Sequence, residues 1–384
     1  MKNKPEILII TSWYPSDENP TEGSFVHEQV KMLQKNGHKV TVIKPNLGGT
    51  FTETLKGRRV KNREYQFNDV TVFEVGVDIW IPKQKKFYYK KLSKKVIRLV
   101  GQKMIQPDII HSHALLSGGI VATELSNAIQ KPLIHTEHTS GLIFAPEQFD
   151  AIDRAAIHKL IDHAKKILFV SNYAKEHSIV YKDSRNSNIS VMHNIVDETF
   201  FTYPFTTKKN QIIAIGDFSP RKNQVFLLDA WKRFLTAHPE MLIHLFLAGK
   251  GFDTDSFSHQ SKGISNLITY PRLNRDETLK FIAESKLLIS ASRLETFGLT
   301  IAEALALGTP VLVTDSGGPR DIVEEGDGFI IEQNNADLFV EKIVALLEGH
   351  HDHPDIIRMR CQQKFSEHPI YSQLIKTYNK CLQK

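Results

Sequence analysis

Ser292-Arg-Leu-Glu295-Thr-Phe-Gly298-Leu-Thr-Ile-Ala-Glu303-Ala-Leu-Ala-Leu-Gly308-Thr-Pro310-Val311 is the stretch on which the organisation of the chain turns. A strand-like run precedes it and ends at Ser290, a helical pattern starts near Gly298, and the next strand-like run opens at Pro310. Glu295 then falls in a loop and Glu303 in the second turn of the helix. Within one continuous helix, residues eight apart would be rotated by about 80°; splitting them between loop and helix lets both carboxylates face one ligand. The N–H groups of Phe297, Gly298 and Leu299 open the helix, where unpaired donors and the helix dipole suit a diphosphate. Carboxylates suit sugar and ribose hydroxyls, so the combination describes a sugar nucleotide. The plainer alternative is that both glutamates are solvated residues at a helix end.

Working outward, short β-rich runs alternate with helical patterns along the whole chain. In the first half the runs are 6–10, 39–43, 70–75, 108–111, 133–136 and 167–170; in the second they are 211–215, 242–248, 267–270, 286–290, 310–313 and 328–331. Such alternation predicts parallel sheets with helices on both faces. The pattern weakens after Asn194, and residues 203–210 read as a linker. The expected architecture is α/β, two doubly wound Rossmann-like domains with a ligand cleft between them: residues 1–203, residues 204–365, and a C-terminal helix in 366–384, without a strand after it, that packs elsewhere or back on the first domain.

Composition limits the alternatives. At 384 residues the chain fits two domains of about 150–200 residues. Its 49 basic and 43 acidic residues leave a formal charge of +6, but residues 82–103 hold nine basic residues and no acidic one, so the remainder is slightly acidic. A pervasive nucleic-acid-binding field is disfavoured. The segment from Lys83 to Arg98 repeats cations at Lys90, Lys94 and Arg98 and apolar residues at Tyr89, Leu92, Val96 and Leu99. It reads either as a basic amphipathic helix on an anionic membrane surface or as a helix packed on its own domain with wet lysines. No apolar run approaches the roughly 20 residues of a membrane span, and the only cysteines are Cys361 and Cys381. The expectation is a cytoplasmic protein, either free or peripheral at the inner face of the membrane.

Three further elements point to ligand chemistry. Gly216-Asp-Phe-Ser-Pro-Arg221-Lys222 follows a strand and places two adjacent cations where a diphosphate leaving group could be stabilised. Gly23 opens the first long helix after the first strand, so its backbone could approach phosphate. His138 stands just past another strand. No metal or cofactor is expected: His111-Ser-His113 lacks a convergent ligand set, Asp253-Thr-Asp255 reads as a solvated loop, and Gly249-Lys-Gly251 lacks the third glycine of a dinucleotide fingerprint.

Together these residues resemble the retaining glycosyltransferases of family four, whose two-domain fold is called GT-B. The family's glutamate, seven residues, glutamate, alanine-rich helix and Gly-x-Pro-Val are matched by Glu295–Val311. The resemblance spans essentially the whole chain. It implies that Glu295 contacts the donor sugar, Glu303 the ribose hydroxyls, Lys222 the diphosphate and His138 the reacting face, with Gly23 in the family's glycine loop. Thr296 stands where glycine is common, and Asp217 where many relatives have arginine, with Arg221 available to substitute. Asn194 resembles the family's Pro-Asn-Gly-x-Asp segment but lacks both its proline and its glycine. The implied reaction moves a sugar from a nucleoside-diphosphate sugar to a glycan or lipid-linked acceptor with retention and without metal. The rival readings are a sugar-nucleotide epimerase and a non-catalytic sugar-nucleotide-binding protein.

Overall fold

The structure, a computed structural model, describes residues 4–48, 60–81, 84–178 and 188–383. Its chain divides into two compact units, residues 1–193 with 370–384, and residues 194–369.

In the first unit, β1 (Ile7–Thr11), β2 (Val40–Gly48), β3 (Arg63–Phe67), β4 (Val70–Asp78), β5 (Ile109–His113), β6 (Leu133–Glu137), β7 (Lys166–Phe169) and β8 (Ile189–Val191) form one sheet in the order β3-β4-β2-β1-β5-β6-β7-β8. All pairings are parallel except β3 with β4. Ile7 sits opposite both Val40 and Ile109, which makes β1 the centre. Every residue of β1, β5 and β6 is buried, as expected for strands covered on both faces. The covering helices are α1 (Ser24–Lys35), α2 (Lys85–Gln102), α3 (Ile120–Ile129), the single turn α4 (Gly141–Phe144), α5 (Ala151–His163) and α6 (Asn172–His177). Tyr88, Leu92, Val96 and Val100 of α2 join the core with Leu8, Ile10 and Leu125.

The second unit starts with α7 (Glu198–Thr202). Its sheet, β11-β10-β9-β12-β13-β14, is wholly parallel and contains β9 (Gln211–Ile215), β10 (His244–Ala248), β11 (Leu267–Tyr270), β12 (Leu287–Ser290), β13 (Val311–Thr314) and β14 (Gly328–Ile331). This is the 3-2-1-4-5-6 order of a dinucleotide-type sheet, and the reversal between β9 and β12 is the switch point at which such folds bind ligands. Its helices are α8 (Gln224–Ala237), α9 (Asp255–Ser261), α10 (Arg275–Glu284), α11 (Leu299–Ala306), α12 (Ala336–Leu347) and α13 (Pro354–Phe365). The last helix, α14 (Glu367–Leu382), begins in the second unit; from Ile370 onward it belongs to the first, where its Tyr378 is fully buried. Two Rossmann-like α/β domains are therefore present, as in the GT-B fold.

One expectation needs correction. The boundary between units falls after His193, not at Tyr203. The stretch 203–210, polar enough to read as a linker, is tied into the second unit: Thr206 Oγ1 and Lys208 Nζ both donate to the carbonyl of Ala283 at the end of α10, at 3.1 and 2.9 Å, and Lys209 Nζ pairs with Glu284 at 2.7 Å. These groups answer the unpaired carbonyls that any helix leaves at its C-terminus. Beyond the runs read from sequence, the first sheet gains two edge strands, β3 (Arg-Glu-Tyr-Gln-Phe) and β8 (Ile-Ser-Val), neither of which contains an apolar run.

Candidate functional site

The loops leaving β9 and β12 meet at the switch point of the second sheet. Lys222 extends from the first of them and donates from Nζ to Glu295 Oε1 at 2.6 Å; Arg221 Nη1 lies 3.5 Å from Glu295 Oε2. Ser292 Oγ donates to the same Oε1 at 2.8 Å. The loop is pinned on both sides, because Glu295 N donates to Ser316 O at 2.9 Å and Gly318 N to Glu295 O at 3.0 Å. A Cβ on Gly318 would lie 2.4 Å from Phe297 O, so only glycine lets the two loops approach this closely. Burial by itself would raise the Glu295 pKa. Lys222 foremost, with Arg221 and Ser292, outweighs it and holds the carboxyl below its ordinary range.

Three residues on, Gly298 adopts φ 106° and starts α11 without a side-chain cap. Phe297 is buried against Phe365, with ring centroids 5.5 Å apart. Phe297, Gly298 and Leu299 thus stand at the start of a helix that leaves the same loop as Glu295. Asp217, on the β9 loop, accepts from Lys250 N at 2.9 Å, and Phe218 N donates to Lys250 O at 2.8 Å. Its carboxylate braces one loop against another, while Arg221 supplies the second cation beside Glu295. Next to it, beyond β10 and β11, Lys250, Phe252, Asp253 and Tyr270 border a hollow of about 390 Å³.

Glu303 sits in the second turn of α11, and its side chain is 7% exposed. Its Oε1 accepts from Arg275 Nη1 at 3.1 Å; Arg275 Nη2 also lies 3.3 Å from Asp197 Oδ2, and the guanidinium stands 4.7 Å over the Phe200 ring. Sequence reading missed Arg275. The available signal was an arginine in the first turn of a helix, where the dipole disfavours a cation unless acidic partners hold it. Arg275 also brings in Asp197, from the segment that resembles the family motif only in part.

Gly23 and His138 belong to the first unit. Gly23 has φ 66°, and a Cβ there would come within 2.3 Å of Trp13 O; this close approach demands glycine whatever the ligand. Two residues later, Phe25 lies against the His138 imidazole, with centroids 4.3 Å apart. Glu137, at the end of β6, takes the N–H groups of His138 and Thr139 on Oε1, at 2.8 and 2.5 Å, and His135 Nε2 on Oε2, at 3.0 Å. On its other side His138 Nε2 meets His113 Nδ1 at 3.1 Å. Burial first, then repulsion between the rings, keeps His113 and His138 well below the usual histidine pKa. The turn after β5 is strained: Ala114 and Ser117 have φ of 58° and 55°. Ser12 holds this turn by accepting from Gly118 N at 3.0 Å. Strain of this kind, costing on the order of 1–3 kcal/mol per residue, gathers at ligand sites.

Among the described residues, no group of three or more histidine, cysteine, aspartate and glutamate side chains is placed to hold a metal ion, and no helix is long and apolar enough to cross a membrane. Pro82 and Lys83 of the basic segment lie outside the described residues; within it Lys85–Gln102 form α2, flanked by Gln84 and Lys103. Its apolar stripe is spent on the domain core, while Lys86, Phe87, Lys90, Lys91, Lys94, Lys95 and Arg98 form the exposed face.

Residues 196–363 match the family described as glycosyl transferases group 1, and residues 23–200 match glycosyltransferase family 4. The chain is 25% identical to the putative teichuronic acid biosynthesis glycosyltransferase TuaC of Bacillus subtilis, over 88% of each chain, and 24% identical to the N-acetyl-alpha-D-glucosaminyl L-malate synthase of Bacillus anthracis, over 91% of each. Its fold is similar to that of Alr3699/HepE of Anabaena, whose crystal structure holds UDP and glucose: the TM-score is 0.73 at 18% identity, over 98% of this chain and 100% of that one.

Proposed function

Because the chain belongs to the group 1 glycosyltransferases of family four and is a glycosyltransferase, we propose that it moves a sugar from a nucleoside-diphosphate donor to a glycan or lipid-linked acceptor, with retention of configuration and without a metal ion. The observation that carries this reading is the Lys222–Glu295–Arg221 cluster at the switch point, followed directly by the N-terminus of α11. Lys222 has three N–H donors and spends one on Glu295, leaving others for a phosphate oxygen. With Arg221 and the amides of Phe297, Gly298 and Leu299, it would take up the charge that develops as the sugar–phosphate bond breaks. No metal is then required for that task.

Glu295 is a poor nucleophile in this setting, because two cations and a hydroxyl already hold its lone pairs. Its role is to accept hydrogen bonds from the donor sugar and orient it. Glu303, held in place by Arg275, accepts from the ribose hydroxyls, and the hollow beside Tyr270 gives the base a place. His138 hydrogen-bonds the sugar, and Gly23 brings backbone N–H to phosphate. Membership of a transferase family gives no support to the epimerase and non-catalytic readings. The likeness to a protein that holds UDP and glucose makes uridine the first base to try.

For the acceptor, the exposed face of α2 fits an anionic membrane surface. Trp80, Ile81 and Phe87 are each about half exposed beside that row of cations, a pairing of interfacial aromatics with basic residues suited to lipid headgroups. The apolar stripe of α2 is already buried, so the helix would rest on the bilayer and not sink into it.

Titration calorimetry of metal-free protein with UDP, GDP and ADP, each in EDTA, tests the donor reading. One nucleotide should bind clearly, and its sugar derivatives should then be turned over with acceptor. Failure of all three to bind would remove the donor site.

A further inference from the structure

The first unit contains a row of polar side chains, buried up to its last member, of which the reading above uses only His138. It runs from Tyr378 on α14 through His111 and His113 on β5, with Gln29 of α1 beside both rings, to His138. Gln29 Nε2 lies 3.2 Å from His111 Nδ1 and 3.4 Å from His113 Nε2. An amide nitrogen carries two hydrogens and offers no lone pair, so both ring nitrogens facing it must accept. The remaining protons follow. His111 is protonated on Nε2 and donates to Thr136 Oγ1 at 2.7 Å, while the one lone pair of its Nδ1 is shared between the Gln29 amide and the Tyr378 hydroxyl, which donates to it at 2.7 Å. His113 is protonated on Nδ1 and donates to His138 Nε2 at 3.1 Å. His138, left with an acceptor at Nε2, carries its own proton on Nδ1.

We infer that Gln29 is a positioning residue, which acts through His113 to fix His138 as the Nδ1–H tautomer and so gives it a donor to aim at the substrate. The chain of contacts rests on geometry, and the neutral state of each ring lets it operate: burial, with repulsion among the imidazoles, keeps His111, His113 and His138 uncharged near pH 7. The Nδ1 of His138 has no protein partner among the described residues, as expected of an N–H reserved for a ligand. The functional half of the inference rests on the proposed role of His138 at the sugar.

The test is ring-nitrogen NMR of the full-length protein labelled with ¹⁵N-histidine, on wild type, Gln29→Glu and Gln29→Met. In wild type, His113 and His138 should both be protonated on Nδ1. A carboxylate at position 29 can only accept, so Gln29→Glu should move both protons to Nε2, and turnover should fall by about tenfold to a hundredfold with little change in nucleotide binding. Gln29→Met, which neither donates nor accepts, should give mixed tautomers and an intermediate rate. Finding His138 protonated on Nε2 in wild type would overturn the inference without any variant having to fold. A tautomer switch in Gln29→Glu with turnover unchanged would uphold the relay and overturn the role given to His138.

Discussion

Lys222 Nζ stands 2.6 Å from Glu295 Oε1, joining two loops that are 73 residues apart in sequence and meet at the switch point of one sheet. The contact makes a mixed-charge centre from residues that would each be costly to bury alone. Replacing Glu295 with glutamine keeps its shape, releases Lys222 to a phosphate and removes the charged acceptor for the sugar. Glu295→Gln should bind the preferred nucleoside diphosphate within a few-fold of wild type, or more tightly, while transfer falls by about a hundredfold or more. Full transfer with unchanged donor affinity would show that Glu295 does not touch the sugar.

Lys222→Met removes the cation and leaves Glu295 largely buried with Arg221 alone. Breaking a pair of this kind costs about 3 kcal/mol, and nucleotide affinity should drop along with stability. The pH dependence has a definite sign. The folded-state pKa of Glu295 lies below its unfolded value, so its contribution is present above an unfolded pKa of about 4.3 and is lost as the pH falls through the lower, folded value. Melting curves at pH 7 and near pH 3 should therefore show the gap between wild type and Lys222→Met narrowing in acid. A constant gap would mean that the ion pair does not link folding to this carboxyl.

Gly23→Ala places a methyl 2.3 Å from Trp13 O at a positive φ. Urea unfolding should show a loss of roughly 2 kcal/mol. If phosphate also approaches this backbone, nucleotide-sugar turnover will fall by more than the lost folded fraction explains. A variant as stable as wild type would mean that this turn has room the structure does not show.

Reversing three charges, with Lys90→Glu, Lys94→Glu and Arg98→Glu together, tests the α2 surface. Each cation near an anionic leaflet contributes about 1 kcal/mol, so flotation with phosphatidylserine vesicles should weaken at least a hundredfold. Wild-type binding should also fade in high salt and be absent on phosphatidylcholine alone. Equal binding by variant and wild type would remove this surface from consideration.

Legibility from sequence followed the distance over which each interaction acts. The βαβ units were readable because most of the parallel strands carry an apolar run, as β1 and β13 do, and Gly298 marked the start of α11. β3 was not: Arg-Glu-Tyr-Gln-Phe at the sheet edge shows no apolar run. Glu295, Lys222 and Arg221 stood out by type and position, and the structure brings them together. Arg275 did not, since only the folded chain shows why a cation sits at the start of α10. Gln29, His111, His113 and Tyr378 were invisible as a group, because their partners are 82, 84 and 267 residues away in sequence.

Tyr378 closes over His111 from the last helix of the chain, and this sets a timetable for biosynthesis. A ribosome finishes residues 1–193 long before it makes Tyr378, and the whole of residues 194–369 is translated in the interval. Until Tyr378 has emerged from the ribosome, the first unit lacks the hydroxyl that fills the far end of its polar row, and His111 is left partly uncovered in a nascent sheet. The domain begun first is therefore completed only after residues 194–369 have been made, and translation broken off before Tyr378 would injure the N-terminal half of the protein.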